Sequence, residues 1–321
     1  MEPFLSIVLT AYNVEDFIEE SILSVINSTF KQWELIIVND GSTDNTGRII
    51  DQYTRNQKIL ACTTENKGLG AARNFGMRQA NGEYILFLDG DDMISRDLLA
   101  NLYNTAQNKQ NDIICFGWQC LGSDEVVKSD FYTRYMTIAV WNKCYKKSWL
   151  LQKEIHFMEN VLFEDVDYSL DLMLNKPTFT NENFSGYVYR FRKESISNSV
   201  YNVKKANDTV KILSRMCDKV SSDSEEVIKQ YVTEFWWRHT VYALNIEKSS
   251  TIQDSLKTML VILKKSGVSK RQVMNGGILH DIVAMTIPVL INLNMVRAAQ
   301  AINSAANWLS LTTRRLVYRK Q

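Results

Sequence analysis

Residues 84–92 read YILFLDGDD, a short apolar run (Tyr84–Leu88) that breaks into an acidic turn, Asp89-Gly90-Asp91-Asp92. An apolar strand without polar alternation is buried on both faces, as in a parallel sheet covered by helices. Three similar segments precede it: Phe4–Thr10 (FLSIVLT), Leu35–Val38 (LIIV) and Lys58–Cys62. Between them lie stretches with helical spacing of apolar residues: Val14–Ile26, a helix following Asp44, and Leu69–Gln79. Alternating strand and helix over the first half predicts an α/β domain with a parallel sheet. Ligands of such sheets bind beyond the carboxyl ends of the strands, so the residues after each strand carry the functional signal.

Residues 111–200 are less regular. IICFGW reads as a strand, FEDVDYSLDLML as a short helix and YVYRFR as another strand. From about Val203 the pattern is helical, with Glu225–Ile246, Ser255–Lys265 and Pro288–Leu309 each periodic. The domain boundary is therefore expected near 200, with 1–200 as an α/β domain and 201–321 as a helical region. Only 3 prolines occur in 321 residues, against roughly 16 at the usual share, and none lies between Pro3 and Pro177. Few breakers favour long elements over a many-turned sandwich.

The net charge of +1 gives no support to a nucleic-acid-binding protein. It conceals an asymmetry. Residues 282–321 hold Arg297, Arg314, Arg315, Arg319 and Lys320 and no acid, a charge of +5 that leaves −4 for the rest. Basic and apolar groups together suit either an anionic membrane surface or a helix packed on the first domain with a frayed tail. Ile282–Val296 is too short and too polar, with Asn292, Asn294 and Pro288, to span a bilayer. No basic leader precedes the first strand, so no signal peptide is expected. The 5 cysteines show no CxxC pair, which favours reduced structural thiols and a cytoplasmic chain.

Three strand ends attract the search: Ala11-Tyr12-Asn13, Asn39-Asp40-Gly41-Ser42-Thr43-Asp44, and Asp89-Gly90-Asp91-Asp92. Crowded carboxylates repel unless a cation sits among them. Asp89 and Asp91 in a turn relaxed by Gly90 suit Mg²⁺ or Mn²⁺, which takes one or two carboxylates and fills its shell from phosphate. Equally, the turn can be a solvated cap for the next helix through Asp92 or Ser95. Asp40 heads a turn whose Asp44 or Thr43 can cap a helix, or it points at a base N–H. Tyr12 fills space or offers a face to a base. GLGAAR, residues 68–73, imitates a dinucleotide fingerprint but follows the third strand, not the first. Its Gly68 permits close backbone approach, and Arg73 pairs with phosphate or with the acidic turn. Glu164-Asp165 opens a helix, where the dipole favours acids; a general base there needs its pKa raised by burial or a neighbouring charge. Trp141-Asn142-Lys143 and Tyr189-Arg190-Phe191-Arg192 add aromatic and cationic groups.

Taken in order, SIVLTAYN, ELIIVNDGSTDNT, ENKGLGAARNFG, GEYILFLDGDD, WNKCY, FEDVDYSL and YRFRKESIS resemble the inverting glycosyltransferases of family 2, over about residues 4–200. The resemblance implies a GT-A fold, Rossmann-like with a mostly parallel central sheet, followed by a helical C-terminal region. It implies transfer of a sugar from a nucleotide-sugar, UDP-linked, to a saccharide or lipid-linked saccharide in capsule, exopolysaccharide or lipopolysaccharide assembly. Thr10, Ala11 and Tyr12 would then line the base, and Asp40 would accept from the uracil ring. Gly68 and Arg73 would lie on the donor, Arg73 near its phosphates. Asp91 would ligate Mn²⁺ or Mg²⁺ directly, with Asp89 closer to the ribose. Asp165 would be the catalytic base and Glu164 a supporting residue on the acceptor side. Lys143, Arg190 and Arg192 would close over the diphosphate or acceptor. The rival classes are a non-catalytic nucleotide-binding scaffold of the same fold, a nucleotidyltransferase and an NAD-dependent oxidoreductase. The last two lack the glycine-rich loop they need after strand one.

Overall fold

The computed structural model describes residues 2–127, 139–192 and 202–220, and the positions 223–225, 227–229, 231, 232, 234–236 and 239. The chain divides into two units, 1–199 and 200–321. The first contains, in order, β1 (Leu5–Ala11), α1 (Ile18–Ile26), β2 (Trp33–Asn39), α2 (Thr46–Asp51), β3 (Ile59–Thr63) and α3 (Leu69–Gln79). It continues with β4 (Tyr84–Asp89), β5 (Met93–Ile94), α4 (Leu98–Lys109), β6 (Ile113–Cys120) and β7 (Val126–Val127). β8 (Lys143–Lys146), α5 (Lys147–Gln152), α6 (Glu164–Leu174) and β9 (Phe179–Tyr189) complete it. In the second unit α7 (Val203–Lys219) is a helix whose first turn is capped by the Asn202 side chain, which accepts from the Lys205 N–H at 3.0 Å. The remaining helices expected from the sequence, and the basic 282–321 tail, lie outside the described residues.

One sheet runs β3-β2-β1-β4-β8-β6-β9-β5, with β7 on β6. β1 to β4 pair in parallel, and β9 pairs parallel to β6. The pairings of β8 with β4 and β6, of β5 with β9 and of β7 with β6 are antiparallel. The parallel half is the part that the apolar runs foretell. Every residue of β1 is buried, as are all but Glu34 in β2 and all but Asp89 in β4.

Helix α3 lies against β1 and β2, and Gly76 sets how closely: a Cβ there would stand 2.3 Å from Val8 Cγ1. Some boundaries differ from those expected. α1 begins at Ile18 rather than Val14, and the Val14 N–H is taken by Thr46 Oγ1 at 2.9 Å. The strand expected as YVYRFR ends at Tyr189, so Arg190 and Arg192 stand beyond it. α4 starts after Asp97, and Asp92, expected as a possible cap, is instead a buried carboxylate. Asp44 does serve the start of α2, accepting from the Thr46 N–H at 3.0 Å.

Candidate active site

The carboxyl ends of β1, β2 and β4 assemble one rim. β1 lies between the other two, with Thr10 in register with Val38 on one side and Asp89 on the other. The first two loops are tied together: the Thr43 N–H donates to Asn13 Oδ1 at 2.8 Å, and the Asn13 N–H to Ser42 Oγ at 3.0 Å. Tyr12 stands out of this junction, 47% exposed, with its ring free to meet a ligand face. Thr10 is buried and its hydroxyl has no partner among the described residues. A buried polar atom left unsatisfied calls for a partner such as a water, an ion or a ligand. Ala11 is buried, and its carbonyl accepts the Asp40 N–H at 2.9 Å, so it shapes the loop rather than presenting a side chain.

Asp40 is buried as well. Its Oδ1 accepts from the Lys67 N–H at 3.0 Å and its Oδ2 from the Gly68 N–H at 2.8 Å. Gly68 adopts φ +86°, a conformation that favours glycine, and it precedes α3 directly. Asp40 thus fixes the loop that aims the α3 N-terminus at the rim. Carboxylate oxygens carry further lone pairs, so this engagement leaves room for one more donor.

Arg73 is the centre of a second cluster. It is 3% exposed, and its two terminal nitrogens donate to Glu164 Oε1 at 2.6 Å and Asp89 Oδ1 at 2.8 Å. The resemblance implied an Arg73 near the donor phosphates; here both ends are committed to carboxylates, making it a strut between β4 and α6. Close helix contact permits this, since a Cβ on Gly70 would stand 2.3 Å from the Met158 carbonyl oxygen and 3.2 Å from Glu164 Cβ. Burial alone would lower the Arg73 pKa, but the charges of Asp89 and Glu164 outweigh it and keep the guanidinium ionised. Glu164 is raised by its own burial, with Arg73 opposing.

Asp165 stands next to this pair, in the first turn of α6 and only partly buried. Its pKa is pushed up to about 7, first by desolvation, then by the Glu164 charge, with Arg73 pulling the other way. That is the condition a general base at neutral pH requires. Lys143 is fully buried, donating to the Ala139 carbonyl at 2.5 Å and to Asn142 Oδ1 at 2.9 Å. Burial lowers it to about 8, with Cys115 and then Asp165 pulling the other way.

The third cluster surrounds the acidic turn. Asp91 Oδ2 is 2.6 Å from the Arg192 guanidinium. Arg190 donates from its backbone to Asp92 Oδ1 at 2.7 Å and from Nε to the Asp91 carbonyl at 3.0 Å. Both guanidinium groups lie 5.0 Å from the Phe17 ring. The Ser21 hydroxyl on α1 donates to the Asp92 carbonyl at 2.5 Å. Burial and then the Asp89 charge raise Asp91, with Arg192 opposing; Asp92 is pushed up to about 8 by burial and by its two neighbours.

For a divalent cation the donor set fits. Asp89 and Asp91 offer hard oxygens at a partly exposed strand end, whereas Asp92 is 1% exposed and already holds Tyr187 and Arg190. Among the described residues no group of three or more His, Cys, Asp or Glu side chains is placed to hold a metal ion. A cation here would complete its shell from ligand oxygens, as Mg²⁺ does. Sequence reasoning missed Ser21, Tyr187 and the buried role of Asp92. Their links join residues 71 and 95 positions apart, and no local spacing signals them.

The fold is shared with solved structures. Staphylococcus aureus TarS 1–349, in complex with UDP-GlcNAc, superposes with a TM-score of 0.73 at 20% identity, over 96% of this chain and 92% of that one. The chain thus shares that fold, a GT-A architecture. Residues 6–158 match the model of Glycosyl transferase family 2. It is 31% identical over 224 residues to the uncharacterized glycosyltransferase EpsJ of Bacillus subtilis, covering 63% of this chain and 65% of that protein. It is 29% identical over 221 residues to glycosyltransferase GlyA of Streptococcus pneumoniae, covering 60% of this chain. The chain spans under two thirds of these relatives' lengths, 31% in the case of GlyA. Among the described residues no helix is long and apolar enough to cross a membrane.

Proposed function

We propose that this glycosyltransferase moves a hexosyl group from a UDP-sugar to a hydroxyl of a saccharide or lipid-linked saccharide, with inversion, in cell-envelope polysaccharide assembly. The observation that carries the reading is Asp165. It is a carboxylate poised near pH 7, joined through Glu164 and Arg73 to the Asp89 end of the acidic turn. A base and a diphosphate-binding turn held in one rigid frame are what a single displacement needs.

Tyr12 stacks on the base, Asp40 and the Thr10 hydroxyl bond its polar edge, and the loop before α3 with Gly68 meets the ribose-diphosphate end. Asp91, with Asp89, would hold Mn²⁺ or Mg²⁺, which when bound would neutralise charge on the diphosphate. Arg192 and Arg190 stabilise the departing nucleotide. Asp165 accepts the acceptor hydroxyl proton as that oxygen bonds the anomeric carbon. The bond to the diphosphate oxygen breaks on the opposite face, so the configuration inverts and UDP leaves with the electron pair. The TarS complex with UDP-GlcNAc supports UDP as the nucleotide. A membrane-facing role for the basic 282–321 segment accompanies a lipid-linked acceptor; flotation with anionic liposomes, with and without residues 310–321, tests it.

The decisive experiment incubates purified protein and Mn²⁺ with a panel of UDP-, GDP- and dTDP-sugars, reading nucleotide release and thermal shift. Release from a UDP-sugar, and an upward shift with UDP, are expected. No release and no shift across the panel would overturn the reading in favour of a scaffold.

A further inference from the structure

The loop between α5 and α6 leads into Glu164 and Asp165, and two consecutive residues of α3 hold it. Arg73 takes its far end through Glu164. Asn74 takes an earlier point. It is 4% exposed; its Nδ2 donates to the Phe157 carbonyl at 2.9 Å, and its Oδ1 accepts the Phe157 N–H at 2.8 Å. One amide thus closes on both polar groups of a single backbone residue. Nδ2 also donates to Oε1 of the exposed Glu159 at 2.9 Å, so both amide hydrogens and the oxygen are engaged by this loop.

Between these two holds the chain follows α3. The Asn160 N–H donates to the Lys67 carbonyl at 3.3 Å, and the Met158 carbonyl lies against the Gly70 position. Gly70 and Asn74, four apart, share one face of the helix. Phe157 is fully buried, edge-on to Phe87 of β4 at 5.3 Å and stacked on Tyr168 of α6 at 3.9 Å. Tyr168 follows Asp165 by three residues, so Phe157 packs on the turn of α6 that carries the base. The same loop contains two residues in the left-handed region, Asn160 at φ +58° and Phe163 at φ +67°. An aromatic residue is rarely found there and persists only where its surroundings over-determine it. Phe163 directly precedes Glu164-Asp165, so this strained turn sets the direction in which α6 starts.

We propose that Asn74 is a positioning residue for the base: its clasp on Phe157 holds residues 157–163 in the strained turn that sets where the Asp165 carboxylate stands. The proposal rests on the transferase reading above and deepens it, adding a residue that acts on the rate through Asp165. Displacing a reacting group by about an ångström costs on the order of 10²-fold in rate. Releasing the clasp lets the loop relax, and the carboxylate moves with it. Nucleotide binding at Tyr12, Asp40 and the acidic turn is carried by other loops, so it stays as it is.

The test compares full-length wild type, Asn74→Asp, Gly70→Ala and Glu159→Ala with Mn²⁺. Asn74→Asp keeps the volume and the acceptor for the Phe157 N–H but turns a carboxylate oxygen on the Phe157 carbonyl. Gly70→Ala presses the same loop outward through the Met158 carbonyl, and serves if Asn74→Asp does not fold. Nucleotide release from the panel of sugar nucleotides is read against pH, with the UDP-induced thermal shift and hydrogen exchange over 157–166. Asn74→Asp and Gly70→Ala should each lower kcat about 10²-fold with the donor KM within about twofold, and Glu159→Ala should match wild type. The acid limb, near pH 7 in wild type, should move to lower pH in both slow variants. A loosened loop admits water to Asp165, and desolvation is the main cause of its raised value. Amides over 157–166 should exchange faster while those of β1 and β4 do not. Unchanged rates, or slower rates with the acid limb and the local exchange unchanged, would overturn the positioning role and leave the transferase reading standing. So would loss of the UDP-induced shift in both variants, which marks a residue needed only for folding. No nucleotide release by wild type from the whole panel would overturn both.

Discussion

Replacing Arg73 with methionine removes the guanidinium and keeps most of the side-chain volume. Arg73 is 3% exposed, and its partner Glu164 is 8% exposed at the side chain, so the variant leaves a buried carboxylate without its counter-charge. Breaking a buried pair from one side costs about 3–5 kcal/mol. At about 2–4 °C per kcal/mol for a domain of this size, the melting temperature should fall by roughly 6–20 °C. Asp89, at 24% exposure, recovers part of its solvation from water and adds less. The loss has a pH signature. Glu164 is already raised above its usual 4.5, and without Arg73 it rises further. A carboxyl that holds its proton more tightly when folded makes stability fall as pH climbs above the unfolded value. The gap between wild type and Arg73→Met therefore widens as pH rises from about 4.5 and narrows as it falls back. Arg73→Lys keeps one charge but spans only one of the two carboxylates, and should fall between. Thermal melts of all three chains at several pH values provide the measurement. A Met variant that melts with wild type near pH 8, or a deficit that ignores pH, would refute the strut.

Asp165→Asn should lower kcat/KM about 10²–10⁴-fold while leaving UDP affinity in place. In wild type, kcat/KM should fall about tenfold per unit below about pH 7, where the raised Asp165 takes up its proton; a profile flat from pH 5.5 to 7.5 removes Asp165 as the base. Gly76→Ala puts a methyl 2.3 Å from Val8 Cγ1 and should cost about 1–3 kcal/mol by pushing α3 off β1. Val8→Ala in the same chain should restore part of that loss, and denaturant titration without such recovery would place the strain elsewhere. Arg192→Ala frees Asp91 from its 2.6 Å partner. For a partly exposed pair this should tighten Mn²⁺ binding without nucleotide by up to about fivefold, read by electron paramagnetic resonance. Weaker Mn²⁺ binding in that variant would contradict the arrangement.

The parallel half of the fold is legible in the amino-acid order alone. Burying both faces of a sheet forces continuous apolar strands, and the helices that cover it must carry period-3.6 apolar faces, so FLSIVLT, LIIV and YILFL declare themselves locally. The span of α3, Leu69–Gln79, is read directly from that spacing. Positions fixed by ordered motifs, such as Asp89, Asp91 and Glu164-Asp165, are also visible one residue at a time. α4 and β8 escaped because their apolar contrast is weak and their partners lie far off in sequence, and β9 was misjudged in length because its first half is half-exposed and polar.

Only the tertiary structure decided what each charge faces. Arg73 looks equally ready for phosphate or acid in the sequence; its choice of Asp89 and Glu164 joins residues 16 and 91 positions apart. The raised Asp165, the buried Asp92 under Tyr187 and the Arg192 contact on Asp91 arise the same way. Burial and Coulomb interaction depend on distance in space and on the exclusion of water, and neither is written in the periodicity of a chain.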